Sequence, residues 1–232
     1  MKYILIYAII PIKKAKEVVT LESRAIRIKS ARNGKMAITI IPGHFATNHS
    51  HINYYIDLTA IKHRSQMAKE AASMLADAYQ HIDIDTIICM DGCEVIGGHL
   101  ASCLSQDGTH AVNSQKDICV ITPEFNSNSQ LIFRDNIQGM VWNKNILLMI
   151  ASATTGKTIN RSLECIKYYG GKVVGIAAIF SAIAEMNGVP IQSLFTLDDI
   201  PNYKTYDFKD CPECREQHKI DAIVNSYGYS KI

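Results

Sequence analysis

The order of apolar and polar residues along the chain predicts strands that alternate with helices. Four short runs are apolar almost throughout: TIICM (86–90), ICVIT (118–122), ILLMI (146–150) and KVVGIAAIF (172–180). Runs of this kind are typical of strands that are covered on both faces of a sheet. Apolar residues recur at helical spacing over 62–80, and helices are also predicted at 95–105 and 157–169. The pattern therefore predicts an α/β fold in which helices flank a parallel sheet.

Other parts of the chain depart from this alternation. An apolar run at 3–10 and two β-prone stretches at 25–29 and 36–41 predict a small antiparallel unit near the N-terminus. The polar segment 123–145 interrupts the series of strands and predicts an excursion or a hairpin attached to the sheet. We treat 1–232 as a single domain with three parts: N-terminal strands at 1–60, an α/β core at 61–182 and a C-terminal extension at 183–232.

The net charge and the cysteine content indicate which partners and which cellular compartment to expect. The 232 residues include 24 Lys and Arg against 22 Asp and Glu, so the net charge of +2 gives no field that favours nucleic acid or an acidic membrane. The number of cysteines, seven, is odd, and most of them stand in apolar stretches, as Cys89, Cys119 and Cys165 do, which favours a reducing compartment. The opening run MKYILIYAII is shorter than the roughly 20 residues that span a bilayer. Pro11 follows this run in place of a small-residue cleavage site, so we expect a cytoplasmic protein without a nucleic-acid or membrane partner.

The segment IASATTGKT (150–158) places small and hydroxyl residues between a predicted strand and a predicted helix. The first N–H groups of a helix attract an oxyanion, the helix dipole adds to them, glycine permits close approach, and hydroxyls donate further hydrogen bonds. The pattern predicts a phosphate-binding loop formed by Ala151, Ser152, Thr154, Thr155, Gly156, Lys157 and Thr158. An ordinary strand-to-helix turn with a threonine cap is the alternative that needs no ligand.

The same segment also fits a loose nucleoside-triphosphatase P-loop, with Ala151 in place of the first glycine. A P-loop enzyme needs a later apolar strand that ends in an aspartate for Mg²⁺, but the strand at 173–182 contains no acid. A P-loop also usually follows the first strand of its sheet, whereas this loop arrives after about two thirds of the chain. A P-loop kinase or ATPase is therefore the less favoured interpretation.

Two stretches resemble a known family. The sequence at 150–171 resembles the second half of the phosphate-binding motif of type I phosphoribosyltransferases, and the sequence at 44–76 resembles the N-terminal region of the orotate enzymes among them. The resemblance implies the type I fold, with a small N-terminal β hood, and a loop at 154–158 that holds the 5-phosphate of phosphoribosyl pyrophosphate. The two acids of the motif, which hold the ribose hydroxyls, are replaced here by Ile150 and Ala151.

The resemblance also implies roles for residues outside the loop. The turn after TIICM would lie near the pyrophosphate, and the polar segment corresponds in position to the mobile catalytic loop of the orotate enzymes. The residues implied at the pyrophosphate are Asp91, Gly92, Cys93 and Glu94, and Tyr54 is implied at the base, where the nearby His51 is a further candidate. The mobile loop of the orotate enzymes carries Arg and Lys near its start. In this chain Arg134 or Lys144 would have to replace those residues, with Arg134 preferred as the catalytic cation. We accordingly expect small-molecule substrates, Mg²⁺ bound with the phosphates, and a homodimer.

Two functions are compatible with these residues. An orotate-type phosphoribosyltransferase would join a nitrogenous base to the ribose and release pyrophosphate. A phosphoribosyltransferase-like regulatory protein would bind the nucleotide or phosphoribosyl pyrophosphate without catalysis. Ile150, Ala151 and the absence of cations from ITPEFNSNSQ (121–130) favour the regulatory protein, whereas the intact loop requires binding in either case.

The segment Cys211-Pro-Glu-Cys214, with His218, has the ligand types and the spacing of half a zinc site. A complete site would need a further Cys or His from elsewhere in the chain or from another subunit, and free thiols are the alternative. Three more histidines, His44, His49 and His51, cluster beside the expected base-binding turn. They either contact the substrate or belong to a polar loop whose side chains bond one another.

Overall fold

The computed structural model describes residues 20–31, 34, 36–106, 112–127 and 130–232. The apolar run at 3–10 lies outside the described residues. In chain order the elements are a 3-10 helix at Glu22–Arg24, β1 (Ile26–Lys29), β2 (Ala37–Ala46), β3 (His51–Asp57), α1 (Thr59–His63), α2 (Ser65–Ala76), β4 (Thr86–Cys89), α3 (Glu94–Leu104), β5 (Cys119–Ile121), β6 (Glu124–Phe125), β7 (Leu131–Ile132), α4 (Asp135–Gln138), β8 (Asn145–Ala153), α5 (Lys157–Tyr168), β9 (Lys172–Ser181), β10 (Glu185–Met186), β11 (Val189–Phe195), β12 (Thr205–Tyr206), α6 (Pro212–Arg215), β13 (Ala222–Asn225) and β14 (Gly228–Lys231).

The core sheet has the strand order β10-β11-β9-β8-β4-β5, and all of its pairs are parallel except the terminal β10–β11 pair. The four apolar runs all form strands of this sheet, which confirms the predicted α/β class. The polar excursion carries the separate β6–β7 hairpin. No helix in the described part of the chain has both the length and the apolar character needed to cross a membrane.

Strand β8 is buried on both of its faces. Leu147, Met149 and Ala151 pack in the cluster that contains the inner faces of α2 and α3. Ile146, Leu148 and Ile150, which alternate with them, pack against the buried face of α5. Because each buried Leu or Ile side chain contributes roughly 1.5–3 kcal/mol, this two-sided burial fixes β8 at the centre of the sheet.

A second sheet, called the hood sheet here, has the order β12-β3-β2-β13-β14, with β1 also paired to β2. Strand β13 runs parallel to β2 through the pairs Ala222–Phe45 and Ile223–Ala46. The segment 183–232 therefore does not form a separate extension, because β10 and β11 join the core sheet while β12, β13 and β14 join the hood sheet. Both N-terminal and C-terminal residues build the hood.

The single helix expected over 62–80 is instead two helices, α1 and α2. Arg64 separates them with an extended backbone, at φ −94° and ψ 113°. The apolar pattern does not reveal this break, because Ile61 in α1 and Ala68 in α2 both pack in the same core cluster.

Helix α3 touches β4 at a glycine. A Cβ on Gly97 would lie 2.3 Å from the Cys89 Sγ and 3.2 Å from Val120, whereas a Cβ on Gly98 would meet no atom within 4 Å. Cys89 is fully buried, so it has no open space into which it can move. Gly97 therefore sets how closely the helix approaches the sheet.

We predict that Gly97→Ala lowers the free energy of unfolding by about 1–3 kcal/mol because the added methyl overpacks the core. Gly98→Ala, one residue along the same helix, should raise it by up to about 1 kcal/mol through better helix propensity. Urea unfolding of both variants measures the two effects. Stabilisation by both substitutions would contradict the close contact between α3 and β4.

Candidate functional site

An open pocket of about 220 Å³ lies where the carboxyl ends of β4 and β8 meet the hood sheet. Its core-sheet wall consists of Asp91, Ile150, Ser152, Ala153, Thr154, Thr155, Gly156, Lys157, Thr158 and Ile159. Its opposite wall consists of Thr47, Asn48, His49, Ser50, Ile52, Tyr55, Ile56, Tyr203, Val224, Asn225 and Ser226. The carboxyl edge of a parallel sheet is the usual location of ligand sites in α/β proteins.

The predicted phosphate loop forms one end of this pocket. Gly156 is the N-cap of α5 and has φ +72°, a left-handed backbone conformation that favours glycine. The N–H groups in the first turn of α5 have no carbonyl partner within their own helix, and the hydroxyl side chains of Thr154, Thr155 and Thr158 stand beside them. This end of the pocket has the donors and the dipole that an oxyanion requires.

Ala151 belongs to the same segment but lies beneath the loop. It is buried in β8, and it borders a smaller cavity adjacent to the pocket rather than the pocket itself. The remaining predicted loop residues, Ser152 and 154–158, all line the pocket.

A carboxyl group from the turn after β4 occupies the space next to Ala151. Asp91, in the left-handed region at φ 59°, accepts hydrogen bonds from the Ala151 N–H and the Ser226 hydroxyl. Burial raises the pKa of Asp91, although these bonds and the charge of Lys62 act to lower it. Of the four residues expected at the pyrophosphate, Asp91 lines the pocket, whereas Gly92, Cys93 and Glu94 are absent from its walls.

Lys62 is a site residue that the sequence analysis missed. Its side chain is buried, with 2% of the residue exposed, and Nζ donates hydrogen bonds to the carbonyl oxygens of Asp91 and Ser226. It thereby joins the loop after β4 to the turn between β13 and β14. No sequence pattern distinguishes it from a solvent-exposed lysine, because both of its acceptors are backbone atoms remote in sequence.

The hood wall approaches the loop through the turn at 47–50. The hydroxyl of Thr47 accepts hydrogen bonds from the N–H groups of His49 and Ser50, which fixes this turn. Burial lowers the pKa of His49, and the positive charges of Arg161 and Lys157 lower it further. The hood turn and the start of α5 line the same pocket, so these two cationic side chains lie near His49.

Tyr54 and His51, the two residues expected at the base, are not among the residues that line the pocket. Tyr54 packs against the core cluster, and its neighbour Tyr55 lines the pocket instead. His51 lies on the far side of the hood turn, where its Nδ1 is 3.0 Å from the His44 Nε2. Burial lowers the pKa of His51, and the adjacent His44 contributes to the same shift.

Arg134, the expected catalytic cation, lies outside the pocket, and the expected metal ligands Cys211, Cys214 and His218 do not all come together. Arg134 is exposed and bonds both carboxylate oxygens of Glu124, at 2.6 and 2.9 Å, outside the pocket walls. Cys211 and Cys214 come together with two histidines of the hood rather than with His218. The imidazole of His218 is 58% exposed, and its Nδ1 is 2.7 Å from Glu213 Oε2.

Solved structures similar to this chain include an orotate phosphoribosyltransferase and a UMP synthase. The Mycobacterium tuberculosis H37Rv orotate phosphoribosyltransferase, solved with Fe(III) dicitrate, is 14% identical with a TM-score of 0.50, covering 71% of this chain and 93% of that chain. The Leishmania donovani UMP synthase is 15% identical with a TM-score of 0.50, covering 68% of this chain and 34% of that chain. No protein-family model and no curated protein sequence matches. The chain therefore has the type I phosphoribosyltransferase fold, as the sequence at 150–171 implied.

The conformation of Gly156 yields a stability prediction. A Cβ at this position would lie 1.9 Å from the Met186 Cε, in a left-handed backbone that costs a non-glycine residue about 1–2 kcal/mol. Gly188, at φ +77° in the turn between β10 and β11, has no atom within 4 Å of the equivalent position. Gly156→Ala should therefore lower the free energy of unfolding more than Gly188→Ala does, as measured by urea unfolding. Equal losses would show that Met186 does not restrict the loop.

Proposed function

We propose that the protein is a phosphoribosyltransferase that transfers ribose 5-phosphate from phosphoribosyl pyrophosphate to a nitrogenous base, with orotate as the first base to test. The observation that carries this proposal is the hydroxyl-rich loop at the start of α5, which lines a pocket that the hood turn borders on the other side. The fold of the chain, which is that of phosphoribosyltransferases, supports the same reaction class.

The two ends of the pocket suit different parts of such a substrate. The loop at 154–158 would bind the 5-phosphate through backbone N–H groups, threonine hydroxyls and the Lys157 ammonium group. The hood side combines the apolar surfaces of Ile52 and Tyr55 with the amides of Asn48 and Asn225. A flat ring with polar edges fits that combination.

The residues present also fit a magnesium ion that arrives with the substrate. Mg²⁺ commonly binds through one or two carboxylates together with substrate phosphates. Among the described residues that line the pocket, Asp91 supplies the one carboxylate. When bound, the ion would neutralise charge on the phosphates, and Asp91 is the residue that would hold it.

In the proposed reaction, a ring nitrogen of the base forms a bond to C1 of the ribose while the bond from C1 to the pyrophosphate oxygen breaks. Pyrophosphate leaves with the electron pair of that bond, and the proton of the attacking N–H is released to solvent. Positive charge develops on the ribose in the transition state, and the Asp91 carboxylate is the anionic side chain of the pocket that can stabilise it. The hood turn would limit the access of water to C1.

A binding protein without catalysis is the second candidate. Ile150 stands in the pocket wall where the family motif has an acid, so the ribose hydroxyls have an apolar neighbour there. Arg134 is held by Glu124 and would have to leave that ion pair before it could reach a leaving group. These two observations favour a protein that binds phosphoribosyl pyrophosphate or a nucleotide and regulates another process.

Calorimetry with phosphoribosyl pyrophosphate and Mg²⁺ tests the binding that both candidates require. Lys157→Ala should weaken binding by about tenfold to a hundredfold, because a hydrogen bond between charged groups is lost. Lys167→Ala is the matched control: it removes an exposed lysine from the opposite end of the same helix and should leave binding unchanged. Equal affinities in all three proteins would show that the loop does not hold the phosphate.

Turnover assays with orotate and a panel of other bases separate the two candidates. Pyrophosphate and nucleotide formed in equal amounts would establish the transferase, whereas binding of phosphoribosyl pyrophosphate without product from any base would establish the binding protein.

Asp91→Asn tests the role assigned to the carboxylate. Asparagine tolerates the left-handed backbone of residue 91, so the loop should keep its shape while the charge is lost. We expect turnover to fall by about a hundredfold or more, as when an electrostatic group is removed from other active sites. Asp198→Asn, which removes an exposed carboxylate outside the pocket walls, should keep wild-type turnover. A fully active Asp91→Asn enzyme would exclude the proposed role.

A further inference from the structure

Four side chains from remote parts of the sequence meet beneath the hood turn: His44 on β2, His51 on β3, Cys211 before α6, and Cys214 within α6. They are called the metal cluster here. Their ligand atoms all lie within 4.8 Å of one another. Three of the side chains are buried, and Cys214 is exposed.

The distances within the metal cluster suit tetrahedral coordination. His44 Nε2 is 3.5 Å from Cys211 Sγ and 3.6 Å from Cys214 Sγ, while His51 Nδ1 is 3.3 Å from Cys214 Sγ and 3.0 Å from His44 Nε2. Zinc bonds of about 2.0–2.1 Å to nitrogen and 2.3 Å to sulfur give tetrahedral edges of roughly 3.3–3.8 Å. Three of these four distances lie within that range and the fourth is a few tenths of an ångström shorter, while the remaining pairs of ligand atoms are within 4.8 Å of each other.

Contacts with neighbouring residues fix the orientation of the side chains in the metal cluster, as contacts behind the ligands do in known metal sites. His44 Nδ1 lies 3.1 Å from the backbone carbonyl oxygen of His218, so Nδ1 carries the proton and Nε2 presents its lone pair to the centre. Phe208 packs edge-on against His51, with ring centroids 5.1 Å apart. Cys211 is the N-cap residue of α6 and Pro212 occupies its first turn, a geometry that holds the two thiols of the CPEC segment on one side.

We infer that the metal cluster binds one zinc ion through His44 Nε2, His51 Nδ1, Cys211 Sγ and Cys214 Sγ. Two thiolates and two imidazoles are a common ligand set of closed, structural zinc sites. Exposed Cys214 provides the path by which the ion enters. The paired histidines distinguish this arrangement from a simple redox-active CxxC pair, which does not require two buried imidazoles directed at its sulfurs.

A zinc ion at this position would connect the hood turn to the C-terminal part of the chain. His44 and His51 flank the turn at 47–50, which lines the pocket. Cys211 and Cys214 precede β13, which leads to the turn at 225–226 in the same wall. The ion would therefore fix two segments of the pocket wall at once, and it would do so whatever ligand the pocket binds.

Elemental analysis of the full chain, expressed with zinc in the medium and purified in reducing, metal-free buffer, is the direct test. We expect one zinc per chain. The protein stripped of metal should take up Co²⁺ with the ligand-field and charge-transfer absorption of tetrahedral thiolate coordination, and equimolar Zn²⁺ should abolish that absorption. Protein that contains no zinc and shows no cobalt absorption, or that carries a Cys211–Cys214 disulfide in mass spectra, would overturn the inference.

Variants identify the four ligands. Cys214→Ser, at an exposed position that tolerates the change, should lose the metal while circular dichroism shows a folded chain, and His51→Ala should lose it as well. His218→Ala is the matched control and should keep one zinc per chain, because His218 pairs with Glu213 outside the cluster. Loss of metal in His218→Ala, or its retention in Cys214→Ser, would refute this ligand set.

Removal of zinc should also lower the melting temperature. A ligand that binds only the folded chain stabilises it by mass action, so chelation should reduce Tm by more than about 5 °C in the wild type. The same chelator should leave Tm unchanged in folded Cys214→Ser. An unchanged Tm in zinc-loaded wild-type protein would show that the cluster does not hold the ion.

Discussion

The burial of β8 on both faces is the constraint from which the rest of the molecule follows. A strand with an apolar residue at every position from 146 to 151 needs cover on two sides, and α2 and α3 supply one side while α5 supplies the other. Because α5 must begin where β8 ends, its N-terminal N–H groups are brought to the carboxyl edge of the sheet. The position of the proposed phosphate-binding loop therefore follows from the way in which helices cover β8.

The sequence predicted the core sheet and the loop because both depend on neighbouring residues. Apolar runs reveal buried strands, and a glycine among hydroxyl residues reveals a turn that can receive an anion. Features that depend on remote residues were not predictable in this way. His44 forms its cluster with cysteines 167 and 170 positions away, and Lys62 bonds backbone atoms, so neither leaves a local pattern. The choice of Tyr55 over Tyr54 depends on the orientation of the hood sheet, which the spacing of tyrosines does not encode.

Asp91 places a carboxyl group beside the end of β8, where the motif acids are missing. The motif acids are missing at 150 and 151, yet a carboxyl group bonds the Ala151 N–H from the turn after the adjacent strand β4. Adjacent parallel strands end side by side, so a side chain that follows one strand can occupy space near the end of another. The loss of an acid from a linear motif therefore does not establish that the site lacks negative charge.

The hood sheet combines β1, β2 and β3 with β12, β13 and β14, so its strands are synthesised at very different times. Strand β2 needs β13 as a neighbour, and Asp221 accepts a hydrogen bond from the His44 N–H across 177 residues. During synthesis the core strands can pair as they emerge, whereas β2 cannot pair with β13 until residues 222–225 have left the ribosome. A nascent chain interrupted before 211 would lack residues 224–226 of the pocket wall, so its pocket would be incomplete.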